Sequence, residues 1–170
     1  MSFKKISPYE IDDNVFTALD KDWMLITAPD KEKECGANAM TASWGGLGIL
    51  WNKPVATIYV RPQRYTYSLT EESDRISLSF FDEKYRDALK ICGTKSGRDM
   101  DKITSCGMTI SEELGTPIIN EARLTLICKK LYADDLKEEC FHDNSPLACY
   151  PKRDYHRFYI CEIEEVLVKE

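Results

Sequence analysis

The segment "RISLSFF" (75–81) sets Ile76, Leu78 and Phe80 on one side of an extended chain and Arg75, Ser77 and Ser79 on the other. Side chains alternate between faces with a period of two only in extended backbone, so the pattern specifies a strand, here one with a wet face. Three short runs, "DWMLITA" (22–28), "NAMTASW" (38–44) and "PVATIYV" (54–60), are rich in β-branched or aromatic residues and bounded by turn formers; "ARLTLICKKLYA" (122–133) alternates through Leu124, Leu126 and Cys128, and "HRFYICEIEEVLV" (156–168) is a long aromatic and β-branched run. Helices are few. "DEKYRDALKICG" (82–93) starts at Asp82, placed to cap free amides, and stops at Gly93, where a left-handed residue suits a helix end. A second helix is expected after Pro62, in "PQRYTYSLTEES" (62–73).

Six or so strands with at most one short helix between some of them predict a mainly β, largely antiparallel, barrel-like sheet, not a doubly wound parallel one. Their spatial order is not readable. With 170 residues, 43% of them apolar, and no repeat or linker, the chain fits one domain spanning 1–170.

A net charge of −6 argues against general attraction to nucleic acid or acidic lipid. No apolar run approaches the ~20 residues needed to cross a bilayer, and "MSFKKISPYE" lacks the apolar core of a secretory signal, so a cytoplasmic protein is expected. The seven cysteines include no CxxC pair and are expected to be reduced thiols, acting as small buried hydrophobes. No metal is expected, because His142 and His156 lack partners at ligand spacing, and Cys140 lies only two residues from His142. Neither a GxSxG elbow nor a supported Cys/His pair is present for covalent hydrolysis.

From Cys35 to Thr70 there is no aspartate or glutamate, whereas about six would be expected from 29 acids in 170 residues spread evenly. Within this stretch Gly45, Gly46 and Gly48 do not spell a dinucleotide fingerprint and are expected to form a turn between strands. In "NAMTASW", Asn38, Thr41 and Ser43 either line a flat ligand with a polar edge or face water from an ordinary strand. In "VRPQRYT", Arg61 is expected at a strand end and Arg64 and Thr66 in the first helical turn, where free amides and the helix dipole favour an anion; a phosphate cradle and a solvated face both remain open. "CGTKSGRDMDK" (92–102) adds Lys95, Ser96, Gly97, Arg98 and Lys102 in a loop whose amides can converge on an anion, with Asp99 and Asp101 able to pair those cations instead. It lacks the GK[ST] ending of a Walker loop. His156 is either a satisfied core or rim histidine or an active-site donor.

Six segments in register, "NAMTASW", "WNKP" (51–54), "VRPQRYT" (60–66), "CGTKSGRDMDK", "EARL" (121–124) and "DYHRFYICEI" (154–163), resemble the flavin reductase-like, FMN-binding split-barrel family, and within it the flavoredoxin-like branch. The resemblance covers nearly the whole chain. It implies a six-stranded split β-barrel, a homodimer, and non-covalent FMN near the subunit interface. It implies ring and ribityl contacts from Asn38, Met40, Thr41, Ala42 and Ser43, and phosphate contacts from Arg61, Arg64, Tyr65 and Thr66. A second loop is implied at Ser96, Gly97, Arg98, Asp99 and Lys102, with His156 on the nicotinamide side.

An acid-free stretch suits such a cofactor, whose phosphate is dianionic and whose ring becomes negative on reduction. At an effective dielectric of about 20, two unit charges about 5 Å apart interact by ~3 kcal/mol before screening. Two functions are then open. One is an NAD(P)H-dependent flavin reductase, taking hydride from NADH or NADPH, with Arg98 or His156 steadying the pyridine nucleotide. The other is a carrier that keeps FMN and passes electrons to a redox protein partner. A third class, a small barrel binding a non-flavin ligand or a protein, would be told apart by its lack of yellow colour.

Overall fold

The computed structural model describes residues 2–170. Ten strands form in chain order: β1 Phe3–Ile6, β2 Met24–Pro29, β3 Ala37–Ala42, β4 Gly45–Leu50, β5 Lys53–Val60, β6 Arg75–Phe80, β7 Ile110–Glu113, β8 Thr116–Ile119, β9 Leu124–Asp135 and β10 Arg157–Lys169. All pairings are antiparallel. The main sheet runs β3-β2-β6-β9-β10-β5-β4, and β7 with β8 forms a separate hairpin. β10 holds the sheet together: one edge pairs with β9 along most of its length, while β5 and then β1 share the other. Register shifts at Ile160/Cys161 and Ile163/Glu165 bend the β9–β10 pair, as bulges do when a sheet curls into a barrel.

All six strands read from the sequence are present. The count of six is corrected to ten: β1, β7 and β8 are only four residues long, β4 is rich in glycine, and none of the four alternates apolar and polar residues. The three glycines form no turn: Gly45, Gly46 and Gly48 lie within β4. The turn that follows is made by Trp51 and Asn52, both left-handed at φ 51° and 60°, which matches the twist of a two-residue hairpin. A Cβ on Gly45 would stand 2.7 Å from the Thr57 carbonyl, so glycine there serves close strand approach.

The barrel interior takes Met24, Ile26, Met40, Ile58, Ile76, Leu78, Phe80, Leu126 and Tyr159. A second apolar layer forms on the outer face of β2 and β3, where Leu25, Ala37 and Ala39 meet Leu89, Cys92 and Ile103. Both faces of these strands are therefore buried. The same applies to β6, whose expected wet face is not wet: Ser77 and Ser79 are fully buried. The β7–β8 hairpin covers them, with Ser77 donating to the Pro117 carbonyl at 2.6 Å.

The outer layer comprises α1 Val15–Thr17, α2 Tyr65–Glu72, α3 Arg86–Thr94 and α4 Lys102–Ser105. α2 falls within the segment expected after Pro62. The α3 segment differs at both ends from its sequence reading. A 3-10 turn, Glu83–Tyr85, precedes it, and Asp82 makes no side-chain capping bond. Gly93 lies inside the last turn, where a Cβ would stand 3.3 Å from Thr41 Cβ; it seats α3 on β3 instead of ending the helix. Lys130 of β9 donates to the Thr70 and Glu71 carbonyls, closing the carboxyl end of α2.

All seven cysteines are free thiols. Cys92, Cys128 and Cys161 are buried as expected of small hydrophobes, while Cys140 and Cys149 are exposed. Among the described residues no helix is long and apolar enough to cross a membrane, and no three potential metal ligands cluster.

Candidate functional site

Pairing of Arg157 with Val60 places His156 beside the end of β5, and β3 delivers Met40, Thr41 and Ala42 to the same end of the barrel. A cleft of about 390 Å³ opens there, lined by Met40 to Trp44, Tyr59, Arg61, Gln63, Arg64 and His156. A smaller cavity of about 200 Å³ shares Met40, Gln63 and Arg64 with it and is completed by Tyr65, Thr66, Thr94 to Arg98 and Lys102. The two are lobes of one site, and no aspartate or glutamate lines either.

The three segments singled out in the sequence, 38–43, 61–66 and 96–102, thus converge with His156. Two of the residues expected at the site, Asn38 and Asp99, do not line the lobes. Asn38 is 2% exposed and donates its amide to Thr66 Oγ1 at 2.9 Å, bracing β3 against α2. Asp99 points to neither lobe, and neither it nor Asp101 forms an ion pair with the loop cations among the described residues; Asp101 instead caps α4 through the Thr104 amide at 3.1 Å.

The two arginines of "VRPQRYT" have different environments. Arg61 pairs with Asp154 at 2.6 Å, donates to the Cys149 carbonyl at 2.8 Å and lies over the Tyr150 ring. A carboxylate from a distant part of the chain therefore already neutralises it. Arg64 has no carboxylate partner among the described residues; it donates to the Gly93 carbonyl at 2.7 Å. Lys102, 3% exposed, donates to the neighbouring Cys92 carbonyl at 3.3 Å and likewise has no carboxylate. The carboxyl end of α3, with its negative dipole, thus holds both cations in place without cancelling either charge. Burial, and then Arg61, pushes the Arg64 guanidinium below its ordinary pKa; burial, with Arg64 acting in the same direction, lowers the Lys102 ammonium. Burying two like charges is unfavourable, and an anion between them relieves the penalty.

Loop 95–101 closes over this pair. Gly97 passes so near Asn38 and Tyr65 that a Cβ would stand 2.5 Å from the Tyr65 ring and nearer still to the Asn38 amide. Arg98 lies 5.3 Å over the same ring. Thr41 spends its hydroxyl on the Leu89 carbonyl, fixing the β3 backbone against α3.

His156 is 8% exposed, with Nδ1 2.9 Å from the Tyr150 hydroxyl and Trp44 packed at 4.9 Å. Burial first, then Arg61, lowers its pKa to about 4, so the ring is neutral at pH 7. The folded state resists a proton that the unfolded chain accepts near the ordinary 6.5. Stability from this group is complete above that value and is lost as pH falls toward 4. Urea unfolding should show His156→Gln losing about 2 kcal/mol less than the unsubstituted chain between pH 7 and pH 4.5. Equal losses would contradict the buried neutral ring.

Lys95, offered by the sequence as a loop cation, lines the smaller lobe, whereas Trp44, Tyr59, Gln63 and Thr94 were not among the site residues expected from the sequence. Gln63, between the two arginines, carried a positional signal; the others enter only through strand ends and helix packing.

A curled antiparallel sheet with a two-lobed, carboxylate-free cleft against its helical layer defines a split-barrel ligand-binding class. Within it, the chain belongs to the flavin reductase like domain family, whose match spans residues 18–170. An uncharacterized protein of Aeropyrum pernix is 30% identical over 123 residues, which are 71% of this chain and 44% of that protein; the chain thus matches less than half of that relative's length. The flavoredoxin of Methanosarcina acetivorans shares the fold with a TM-score of 0.68 at 23% identity, over 97% of this chain and 77% of that one. The flavoredoxin of Desulfovibrio vulgaris (Miyazaki F) does so with a TM-score of 0.67 at 22% identity, over 87% and 69%. The expected fold, a mainly β split barrel, is the fold found.

Proposed function

We propose that this chain binds FMN and acts as a flavin reductase, accepting hydride from NADH or NADPH. The observation that carries this reading is the pair of cations, Arg64 and Lys102, held by α3 carbonyls with no carboxylate beside them. A phosphate dianion satisfies both charges, and Arg98 and Lys95 line the same lobe. The donor set fits the phosphate end of FMN, and the flatter lobe beside Met40, Thr41, Ala42 and Ser43 suits its ring. FMN supplies two-electron redox chemistry when bound. Arg64 and Lys102 anchor its charged end; the backbone of 40–43 shields one side; the absence of lining carboxylates keeps the potential favourable for negative charge. Arg61, tied to Asp154, shapes the ring side in this reading, and the phosphate role passes to Lys102.

In the same proposal residues 1–170 work as one domain, in the cytoplasm, as a homodimer. Tyr9, Phe16, Ile49 and Trp51 are more than half exposed, and the outer edge of β4 is unpaired among the described residues. Such apolar surface beside a free edge favours a second copy.

The flavoredoxin likeness keeps a carrier as the second reading, in which FMN stays bound and a redox protein is the partner. Anaerobic mixing of the flavin-loaded chain with NADH or NADPH separates the two. Bleaching of the yellow colour within seconds is the expected result; colour persisting for many minutes with both nucleotides would overturn the reductase and leave the carrier.

A further inference from the structure

His156 is tied at one ring nitrogen only. Nδ1 meets the Tyr150 hydroxyl at 2.9 Å. Nε2 has no partner among the described residues, nor is it one of the sealed polar atoms left without one, so it opens on the cleft that the ring lines.

The direction of the Tyr150 bond decides what Nε2 can offer. Tyr150 is 6% exposed and its hydroxyl has no other partner among the described residues. If it accepted from Nδ1–H, its own proton would be stranded in a buried place. Burial also raises the phenol pKa, so the proton stays on the oxygen. A protonated phenol facing a neutral imidazole donates to it, because the imidazole lone pair is the stronger acceptor. The Arg61 guanidinium, 5.2 Å over the Tyr150 ring, draws electron density from the phenol and sharpens that donation. The other titratable groups facing the imidazole are Tyr59, 6.4 Å away on β5, and Asp154, which Arg61 engages.

We propose that Tyr150 is a positioning residue: its hydroxyl donates to Nδ1 and fixes His156 as the Nε2–H tautomer, so the cleft presents a hydrogen-bond donor to a carbonyl or carboxamide oxygen of the second substrate. The identity of that substrate as a pyridine nucleotide rests on the function proposed above. The excursion between β9 and β10 gains a purpose from this arrangement. Phe141 and Tyr155 pack against Tyr150 at 6.2 and 4.9 Å and seat its hydroxyl over the imidazole.

The test is ring-nitrogen NMR of histidine-labelled chain, free and with FMN, beside single-turnover reduction by NADH and NADPH. The signals of His156 are assigned by their loss in His156→Gln. The expected result is a protonated Nε2 in the unsubstituted chain. Tyr150→Phe keeps the packed ring, mixes the tautomers and raises the His156 pKa, since the bond it removes favours the neutral ring. It slows reduction roughly tenfold, the scale of one lost hydrogen bond, with FMN affinity unchanged. His156→Gln retains a donor that needs no tautomer control, so adding Tyr150→Phe to it changes the rate little. Protonation at Nδ1 in the unsubstituted chain, or an unaltered tautomer in Tyr150→Phe, overturns the proposal. A chain that takes up no flavin would sink the function proposed above, while the NMR of the flavin-free chain would still decide the role of Tyr150.

Discussion

Replacing Arg64 by glutamate is expected to lower FMN affinity by about a thousandfold or more, with the chain still folded. Loss of the guanidinium removes an attraction to the phosphate worth ~3 kcal/mol at about 5 Å and an effective dielectric of about 20. The new carboxylate then repels the same dianion and pairs with Lys102, so the second cation is lost to the ligand as well. Every 1.4 kcal/mol is tenfold, and two effects of this size exceed the thousandfold mark even after screening. The structural loss is small by comparison: one hydrogen bond to the Gly93 carbonyl, about 1 kcal/mol. Arg61→Gln is the informative companion, because its charge is already met by Asp154. It should weaken FMN binding by less than about tenfold, in keeping with a neutralised cation. Flavin fluorescence quenching on titration into each variant reads both effects. Equal losses at the two positions would remove the distinction drawn between them.

Gly97→Ala is expected to damage both stability and binding, although it adds a single methyl group. The Cβ would stand 2.5 Å from a carbon of the Tyr65 ring and closer still to the Asn38 amide. Neither neighbour is free to yield. Asn38 is buried and bonded to Thr66, and Tyr65 begins α2 beneath Arg98. Overpacking of this kind costs about 1–3 kcal/mol, which for a chain of this size lowers Tm by roughly 3–10 °C. Relief by lifting loop 95–101 withdraws Arg98 and opens the lobe over Lys102, so FMN affinity falls as well, by roughly a hundredfold if about 3 kcal/mol is forfeited. Gly46→Ala is the control, since nothing lies within 4 Å of its added Cβ. Calorimetry should find it within about 1 kcal/mol of the unsubstituted chain. A Gly97→Ala variant equal to that control would mean that the loop has another way to sit.

Strand segments were legible because period-two patterning follows directly from burial on one side, and long runs such as those of β9 and β10 carry it over many residues. β4 was hidden because three glycines read as a turn, although all three lie in an edge strand and one of them, Gly45, permits close pairing where a Cβ would stand 2.7 Å from the Thr57 carbonyl. The wet face assigned to β6 failed for a related reason. Serine is compatible with water, but Ser77 and Ser79 find partners under a hairpin whose own strands are only four residues long.

At the site, the converging segments were legible and their charges only partly so. An acid-free stretch in the sequence is not an acid-free place in the fold: Asp154 arrives from beyond residue 150 and takes Arg61. What has no carboxylate partner among the described residues is Arg64, joined by Lys102 from another segment. That pairing depends on where α3 ends, at Thr94, one residue past the glycine that looked like its stop. Tyr150 could not be found from spacing, since its value comes from a contact with His156 across a turn of irregular chain.

The central claim is that two uncompensated cations form a phosphate site. Equilibrium titration of the flavin-free chain with FMN and with riboflavin tests it most directly, because the two ligands differ only in that group. The account predicts FMN binding at least about a hundredfold tighter than riboflavin at low salt, with the gap narrowing as ionic strength rises. Equal affinity for both ligands, or uptake of neither, would contradict it.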